Sequence, residues 1–310
     1  MSALICGSMA YDTIMVFHDK FKNHILPEKV HMLNVSFLVP MIRREFGGCA
    51  GNIAYNLKLL EEQPIIMATV GHDFEPYAQW LNNCQISTKM IKTIDSQYTG
   101  QAYITTDEDD NQITAFHPGA MSFSHENLIP DSEEISIGIV SPDGKEGMQQ
   151  HAKEFDALDI PFIFDPGQGM PMFNGEELIE LLEMATYATF NDYESELMQE
   201  RTGLTLEQVA EKVEALIVTI GGNGSKIYTG GKCIEIPSAK AKELCDPTGC
   251  GDAYRAGLLY GLMNGLDWET TGRIASLLGS IKIEHHGTQN HSFTLDAFKE
   301  RYSECFGGSF

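Results

Sequence analysis

The sequence predicts an α/β fold, in which helices flank a doubly wound, mostly parallel sheet and a small β-sheet forms a lid. Short buried-strand patterns alternate with helical patterns along most of the 310 residues. Clusters of glycine and polar residues follow several strands, where α/β folds usually bind ligands. Two hairpin-like stretches interrupt this alternation, and we assign them to a lid at about 13–46 and 99–120. We expect one domain over residues 1–310.

Strands are expected where short apolar or β-branched runs end at turn residues. In chain order these are 3–5, 13–17, 30–33, 35–39, 65–70, 100–106, 112–116, 135–140, 161–164, 187–190 and 215–220, with a hairpin continuing at Ile227. Helices are expected where apolar residues recur three or four positions apart. These are the stretches after the glycines at 47–51 and after Gly249, together with 75–82, 176–185, 204–213 and 271–284.

Composition excludes several classes of protein. The formal net charge is −23, from 44 acidic and 21 basic residues. This balance argues against duplex nucleic acid or an anionic membrane as a partner. Seven cysteines are scattered without C-x-x-C spacing, which indicates reduced thiols in the cytosol. No signal peptide is evident, and no apolar run reaches the roughly 18 residues that span a bilayer, so we expect a soluble, cytoplasmic protein.

The most informative stretch is Asp246-Pro-Thr-Gly-Cys-Gly-Asp252, directly before a helical pattern. The first N–H groups of a helix lack internal partners and carry partial positive charge. Glycines allow these groups to approach an oxyanion closely. Asp252 would repel a phosphate, but it could accept a proton from an attacking hydroxyl. The pattern therefore predicts phosphoryl transfer to an alcohol, although an acid favoured by the helix dipole is an equally good explanation of Asp252 by itself.

Three further polar clusters follow predicted strands. Asp12 could accept hydrogen bonds from two sugar hydroxyls or serve as a turn residue. Asn52 follows a glycine-rich turn that lets a ligand reach the backbone, but the turn lacks the dinucleotide spacing G-x-G-x-x-G. Asn191 and Glu194 could orient the water ligands of Mg²⁺, or cap a helix.

Three motifs favour structural interpretations. The order Gly-Ser-Lys226 is not that of a P-loop, and a hairpin rather than a helix follows it. His285 and His286 are adjacent, so we expect capping or solvent-facing roles instead of a shared metal. Cys250 has no histidine near it in sequence, which favours a small residue over a nucleophile.

The lid aromatics are either packed core or a platform for a flat ring: Phe37, Phe46, Tyr103 and Phe116.

Taken together, these motifs resemble the PfkB (ribokinase-like) sugar and nucleoside kinases. The resemblance rests on Gly47-Gly48-x-x-x-Asn52, Asn191-x-x-Glu194, Thr219-x-Gly221-x-x-Gly224 and the D-x-T-G-x-G-D loop, in the family's order. Within the family, several stretches are similar to the bacterial adenosine kinases. They include Gly7-Ser8-x-Ala10-x-Asp12, Leu26-Pro27-Glu28, 35–39, 116–122, Asp165-Pro-x-Gln168 and 190–194.

The resemblance implies an ATP-dependent kinase that converts adenosine to AMP at its 5′-hydroxyl, with Asp252 as base. It implies an anion hole at Gly249, Cys250 and Gly251. The implied nucleoside contacts are Ser8, Asp12, Gly48 and Asn52 at the ribose, and Ser36, Phe37, Phe116 and Gln168 at the base. The implied ATP and Mg²⁺ contacts are Asn191, Glu194 as the metal residue, Thr219, Gly221, Gly222 and Gly224. It also implies a homodimer that pairs through the lid, and the need for K⁺ stays open.

Some residues depart from the family's pattern. Cys250 replaces a commoner Ala or Val, which a backbone anion hole tolerates. Ala102 stands where an adenine-stacking aromatic is expected, and Tyr103 faces the other side of the strand. The 165–169 stretch has few polar side chains, which weakens the purine assignment. A ribose or fructose kinase is therefore the alternative, and a non-catalytic ligand-binding or sensor protein is a third class, disfavoured by the intact Asp252.

Overall fold

A computed structural model describes residues 2–25, 34–109, 111–130 and 134–310. Within these ranges the chain forms a nine-stranded sheet, a separate four-stranded sheet and helices on both faces of the larger sheet. The predicted fold class, a mostly parallel doubly wound sheet with a small β-sheet lid, is confirmed. No helix in the described ranges has both the length and the apolar character that crossing a membrane requires.

The nine-stranded sheet carries the fold. Its strands are β1 (Ser2–Cys6), β4 (Pro64–Gly71), β5 (Ile91–Ile94), β8 (Ile135–Val140), β9 (Phe162–Phe164), β10 (Tyr187–Asn191), β11 (Ala215–Thr219), β12 (Ser225–Thr229) and β13 (Lys232–Ile236), in the spatial order 13-12-11-10-9-8-1-4-5. The pairs from β5 through β11 are parallel, whereas β11, β12 and β13 form antiparallel pairs at one edge. The carboxyl ends of the parallel strands therefore meet along one side of the sheet.

Helices cover both faces of this sheet. They are α1 (Cys49–Leu59), α2 (Glu75–Asn83), α3 (Lys145–Ala157), α4 (Gly175–Met184), α5 (Asp192–Thr202), α6 (Leu206–Ala210), α7 (Cys250–Met263), α8 (Trp268–Ile283) and α9 (Leu295–Phe306). Alternate residues of β1 enter different cores: Ala3 and Ile5 pack with residues of α1, α7 and α8, while Leu4 and Cys6 pack with residues of α3 and α4. A strand buried on both faces explains why β1 shows a continuous apolar run.

The four-stranded lid sheet consists of β2 (Ala10–Val16), β3 (Met41–Gly47), β6 (Gly100–Thr106) and β7 (Gln112–His117), in the order 3-2-6-7. The β2–β6 pair is parallel, and the outer pairs are antiparallel. The prediction of a strand at 35–39 is wrong, because residues 34–39 have no regular structure and the strand begins after Pro40. Charges in Arg43-Arg44-Glu45 conceal β3 in the sequence, but an edge strand tolerates them on its solvent face. The predicted strand at 30–33 lies outside the described residues.

Besides β3, the sequence did not predict the strand β5 or the helices α3 and α9, and it indicated α5 only through the capping alternative for Asn191 and Glu194. The helix predicted at 204–213 is shorter in the structure, where α6 spans Leu206–Ala210. A capping box between Thr205 and Gln208 fixes its start at Leu206. The hairpin after Gly224 is present as β12 and β13, so the Gly-Ser-Lys226 segment belongs to a strand.

Candidate active site

A cavity of about 1000 Å³ lies between the carboxyl ends of the central strands and the lid sheet. Predicted site residues from distant parts of the chain line it: Ser8, Asp12, Gly48, Asn52, Phe116, Gln168, Asn191, Glu194, Thr219, Gly221, Gly249, Gly251 and Asp252. Because the parallel strands end along one side of the sheet, residues that follow different strands converge there.

A second cavity of about 630 Å³ adjoins the first one. The two cavities share Thr219, Gly221 and Gly251, so the helix start that holds Asp252 lies at their junction. Other predicted residues line only the second cavity, namely Gly222, Gly224 and Cys250. Small residues of α8 complete its wall and leave room for a flat ligand: Ser276, Gly279 and Ser280.

Asp252 lies in the first turn of α7 and accepts a hydrogen bond from Asn52 Nδ2 at 2.8 Å. Burial raises the pKa of Asp252 to about 6, and the Asn52 hydrogen bond opposes this shift. A carboxylate with this pKa is ionised at neutral pH and is basic enough to take a proton from a bound hydroxyl.

Asn52 is itself held by residues to which the sequence assigned no role. Its Oδ1 accepts from Gln289 Nε2 at 3.0 Å, and Gln289 Nε2 also lies 2.6 Å from the Tyr77 hydroxyl oxygen. Trp80 Nε1 donates to the Gln289 Oε1 at 2.8 Å. Gln289 is 2% exposed, so this network fixes which end of the Asn52 amide faces Asp252.

The turn before α7 is built around glycine and Asp246. Gly249 is the N-cap with φ 79°, a left-handed conformation that glycine adopts without strain. The Asp246 carboxylate accepts from the Thr248 N–H at 2.9 Å and from the Gly287 N–H at 2.9 Å. These bonds hold the turn against the segment after α8. The Cys250 N–H donates to the Pro247 carbonyl oxygen at 3.2 Å, whereas the Gly251 and Asp252 N–H groups have no acceptor among the described residues and are available for an oxyanion.

Cys250 is the first residue of α7, and its side chain is a neutral thiol. Burial raises the pKa of Cys250 to about 11, and its Sγ lies 3.9 Å from the Asp246 carbonyl oxygen. A thiol in this state is a poor nucleophile at neutral pH. Its backbone N–H is bonded to the Pro247 carbonyl oxygen, so a contribution of Cys250 to the anion hole stays a prediction.

The lid end of the same cavity presents a second carboxylate. Burial raises the pKa of Asp12 to about 6, with further contributions from Glu45 and Asp246. No donor among the described residues hydrogen-bonds the Asp12 side chain, which leaves both oxygens available for hydroxyl groups. A Cβ on Gly47 would lie 2.4 Å from Asp12 Oδ2, and one on Gly48 would lie 2.5 Å from the Ser8 carbonyl oxygen. Gly47 therefore creates the space beside Asp12, and Gly48 allows the start of α1 to approach the backbone of residues 8–10.

A buried ion pair lies beneath Asp252. Arg255 donates from Nε to Asp165 Oδ2 at 3.0 Å and from Nη2 to Asp165 Oδ1 at 2.7 Å. Its Nη2 also lies 3.9 Å from Glu194 Oε2. Burial alone would lower the pKa of Arg255, but the Asp165 carboxylate outweighs it and holds the pKa above its ordinary value. The sequence pattern Asp165-Pro-x-Gln168 marked this position, but its partner three residues after Asp252 was missed.

Asn191 and Glu194 form a capping box at the start of α5. Asn191 Oδ1 accepts from the Glu194 N–H at 2.7 Å, and Glu194 Oε2 accepts from the Asn191 N–H at 2.8 Å. The capping interpretation is confirmed, and the half-buried Glu194 carboxylate still lines the larger cavity. No group of three or more acidic, His or Cys side chains in the described ranges could hold a metal by itself. A Mg²⁺ at Glu194 therefore stays a prediction.

The lid contributes aromatic and apolar surface. Phe116 of β7 is 50% exposed, faces Ala102 of β6 and lines the larger cavity. Tyr103 is on the opposite face, as the strand period predicts. Residues of the same cavity that sequence reasoning missed include Met121, Asp143 and Met172.

Ser36 and Phe37 do not line either cavity. Phe37 packs against Phe17 and Phe21, with ring centroids 4.8 and 5.0 Å apart. Phe46 also packs inside the protein, 4.6 Å from the ring of Tyr77. Both aromatics therefore stabilise the lid, and a base contact by Ser36 or Phe37 stays a prediction.

Comparisons with known proteins agree with this geometry. Residues 9–294 match the model of the pfkB family carbohydrate kinases. A nucleoside kinase of Methanocaldococcus jannaschii is 35% identical over 276 residues, which cover 88% of this chain and 91% of that protein.

Solved structures of other proteins are similar to this chain in both fold and sequence. The nucleoside kinase of Burkholderia thailandensis in complex with inosine is 47% identical, with a TM-score of 0.90 over 99% of each chain. The same enzyme in complex with ADP-inosine has a TM-score of 0.88 at 48% identity, over 99% of this chain and 97% of that chain.

Proposed function

Because the chain belongs to the PfkB family of carbohydrate kinases, we propose that it is an ATP-dependent nucleoside kinase that phosphorylates the 5′-hydroxyl of adenosine. One observation carries the proposal: Asp252 and the anion turn lie at the junction of two adjoining cavities. The larger cavity has the hydroxyl-binding group Asp12 and the aromatic Phe116, as a nucleoside requires. The smaller one suits ATP.

In this assignment Asp12 and Asn52 hold the ribose hydroxyls, and Asp252 takes the proton of the 5′-hydroxyl. The Gly249 and Gly251 N–H groups receive the negative charge of the transferred phosphoryl group, because they have no acceptor among the described residues, whereas the Cys250 N–H donates to the Pro247 carbonyl oxygen. Arg255 and Asp165 neutralise each other, so they stabilise the floor without adding charge. Glu194 would hold Mg²⁺ through water, and the metal would offset charge on the phosphates.

The base of the nucleoside would be recognised by polar residues of the larger cavity. Gln168 and Asp143 are polar residues that line the same cavity as Phe116. An amide both donates and accepts, so Gln168 can pair with the hydrogen-bonding edge of adenine or of hypoxanthine. The related Burkholderia enzyme was solved with inosine, which makes inosine a second candidate acceptor.

The acceptor is tested by ADP release with Mg-ATP and adenosine, inosine, ribose or fructose. We expect adenosine to give the highest kcat/KM. A higher kcat/KM for inosine than for adenosine would make inosine the preferred acceptor, and the protein would still be a nucleoside kinase. Ribose or fructose ahead of both nucleosides would contradict it and favour a sugar kinase.

We also propose that two copies pair through the lid. The lid exposes large apolar side chains on β3 and β7, with Met41 57%, Ile42 67% and Ile113 44% exposed. Apolar surface of this kind favours association of subunits. Light scattering should report a dimer, and Ile42→Glu should shift it to a monomer; a wild-type monomer would contradict this part.

A further inference from the structure

Two cationic side chains of the described residues are buried, and their partners differ. Arg255 is paired with the Asp165 carboxylate. Lys282, near the end of α8, is 0% exposed and has no direct carboxylate partner among the described residues. Its Nζ donates to the carbonyl oxygens of Asp246 at 2.7 Å and His285 at 3.1 Å. An ammonium buried against neutral carbonyl groups is costly, so this position requires an explanation.

The two carbonyl groups belong to the segments that form the anion turn. Asp246 opens the turn before α7, and His285 opens the segment that leads to Gly287 and Thr288. Gly287 N–H donates to the Asp246 carboxylate, and a Cβ on Gly249 would lie 3.1 Å from Thr288 Cγ2. The Lys282 ammonium thus joins the two segments at the point where their backbones meet.

The surrounding charges support a local role for the ammonium. Burial lowers the pKa of Lys282, while Asp246 is the main group that opposes this shift, with smaller effects of Cys250, Cys245 and Asp252. The protein as a whole carries a formal charge of −23. A phosphoryl group at the turn would add negative charge, so a fixed cation beneath the turn stabilises that state.

We propose that Lys282 is a positioning residue, whose ammonium acts as a built-in monovalent cation for the anion turn in the proposed kinase reaction. A bound K⁺ is held mainly by converging carbonyl oxygens. Here the converging carbonyls of Asp246 and His285 are bonded to Lys282, so this donor set does not fit K⁺. The inference answers the open question of K⁺ dependence: the enzyme works without K⁺. It rests on the proposed phosphoryl transfer.

The first test uses the wild-type enzyme and does not depend on a variant that folds. Initial rates with saturating Mg-ATP and nucleoside are measured with K⁺, Na⁺ or tetramethylammonium as the only added monovalent cation at constant ionic strength. We expect the same kcat in all three. A several-fold activation by K⁺ would overturn the proposal.

The second test removes the ammonium. Lys282→Met should lower kcat by about tenfold or more with little change in nucleoside KM, because the turn loses its cation but the nucleoside contacts remain. K⁺, which can enter the vacated space, should restore part of the rate, whereas tetramethylammonium should not. Lys153→Met, on the exposed side of α3, is the matched control and should behave as wild type. A folded Lys282→Met enzyme with wild-type kcat in tetramethylammonium would contradict the proposal.

A third readout separates this inference from the kinase assignment. K⁺ should raise the Tm of Lys282→Met relative to tetramethylammonium and leave the Tm of wild type unchanged. This result would support the cation role even if no nucleoside were phosphorylated, in which case only the proposed function would fail. An equal effect of K⁺ on both Tm values would overturn the cation role while leaving the kinase assignment intact.

Discussion

The two ends of the larger cavity are built differently. At the end next to α7, Asp252 is bonded to Asn52, which is bonded to the buried Gln289, and each bond joins parts of the chain 200 or more residues apart. At the lid end, Phe116 is on a strand whose six residues are all exposed.

This difference suggests that one end of the cavity determines the rate of the reaction and the other end determines which acceptor binds. The groups proposed to transfer the phosphoryl are held by helix starts and buried hydrogen bonds, so a small change there should alter geometry and rate. Phe116, the proposed base contact on the lid, is a side chain on an exposed strand, so its exchange should change affinity at little cost in stability. The following experiments test this division, beginning with the largest effect.

Asp252→Asn should lower kcat by roughly 10²–10⁴-fold, because the amide cannot accept the hydroxyl proton. The asparagine Oδ1 can still accept from Asn52, so the Tm and nucleoside binding should change little. Steady-state kinetics with isothermal titration of the nucleoside measures both. Asp156→Asn, an exposed acid on α3, is the control. An unchanged kcat would remove Asp252 from the role of base, whereas a wild-type protein without turnover would favour the non-catalytic binding protein.

Arg255→Met should lower the free energy of unfolding by about 3–5 kcal/mol, because Asp165 and Glu194 would remain buried without their cation. Urea denaturation measures the change. Arg273→Met removes an ion pair with Glu269 on the surface of α8 and should cost less than about 1 kcal/mol. Equal losses in the two variants would show that the floor of the cavity is no more sensitive than the surface.

The pH dependence should show a loss of kcat/KM below about pH 6, because protonation of Asp252 removes the base. Asp12 also has a pKa raised to about 6, so the loss should be steeper than tenfold per pH unit. Asp12→Asn should reduce the slope to about tenfold per unit. A rate that stays constant down to pH 5 would contradict the assignment of Asp252.

The same shifts affect stability in the opposite direction. A carboxyl whose folded pKa is raised binds more protons when folded, so its contribution to stability increases as the pH falls from about 6 towards 4. Asp252 and Asp12 therefore do not cause unfolding in this range. Thermal melts at each pH separate lost activity from lost structure.

Phe116→Ala should raise the nucleoside KM by about tenfold, the value of one aromatic contact, and leave any ribose activity unchanged. Ile113→Ala is the matched control, since Ile113 is on the same strand but does not line the cavity. Equal effects on nucleoside and ribose would argue against base stacking on the lid.

The sequence alone determined the features that depend on neighbouring residues. The D-x-x-G-x-G-D turn before α7, the capping box of Asn191 and Glu194 and the hairpin after Gly224 are local, because backbone conformation and short-range hydrogen bonds decide them. Alternating strand and helix patterns were likewise sufficient for the fold class. The edge strand β3 was missed because solvent exposure removes the apolar pattern that marks buried strands.

Only the tertiary structure decided which distant residues meet. Gln289 with Asn52, Arg255 with Asp165 and Lys282 with the Asp246 carbonyl are contacts between separate elements. Spacing along the chain carries no information about them, because they depend on how helices pack across the sheet. The position of Phe37 in an aromatic cluster, away from the cavity, was decided in the same way.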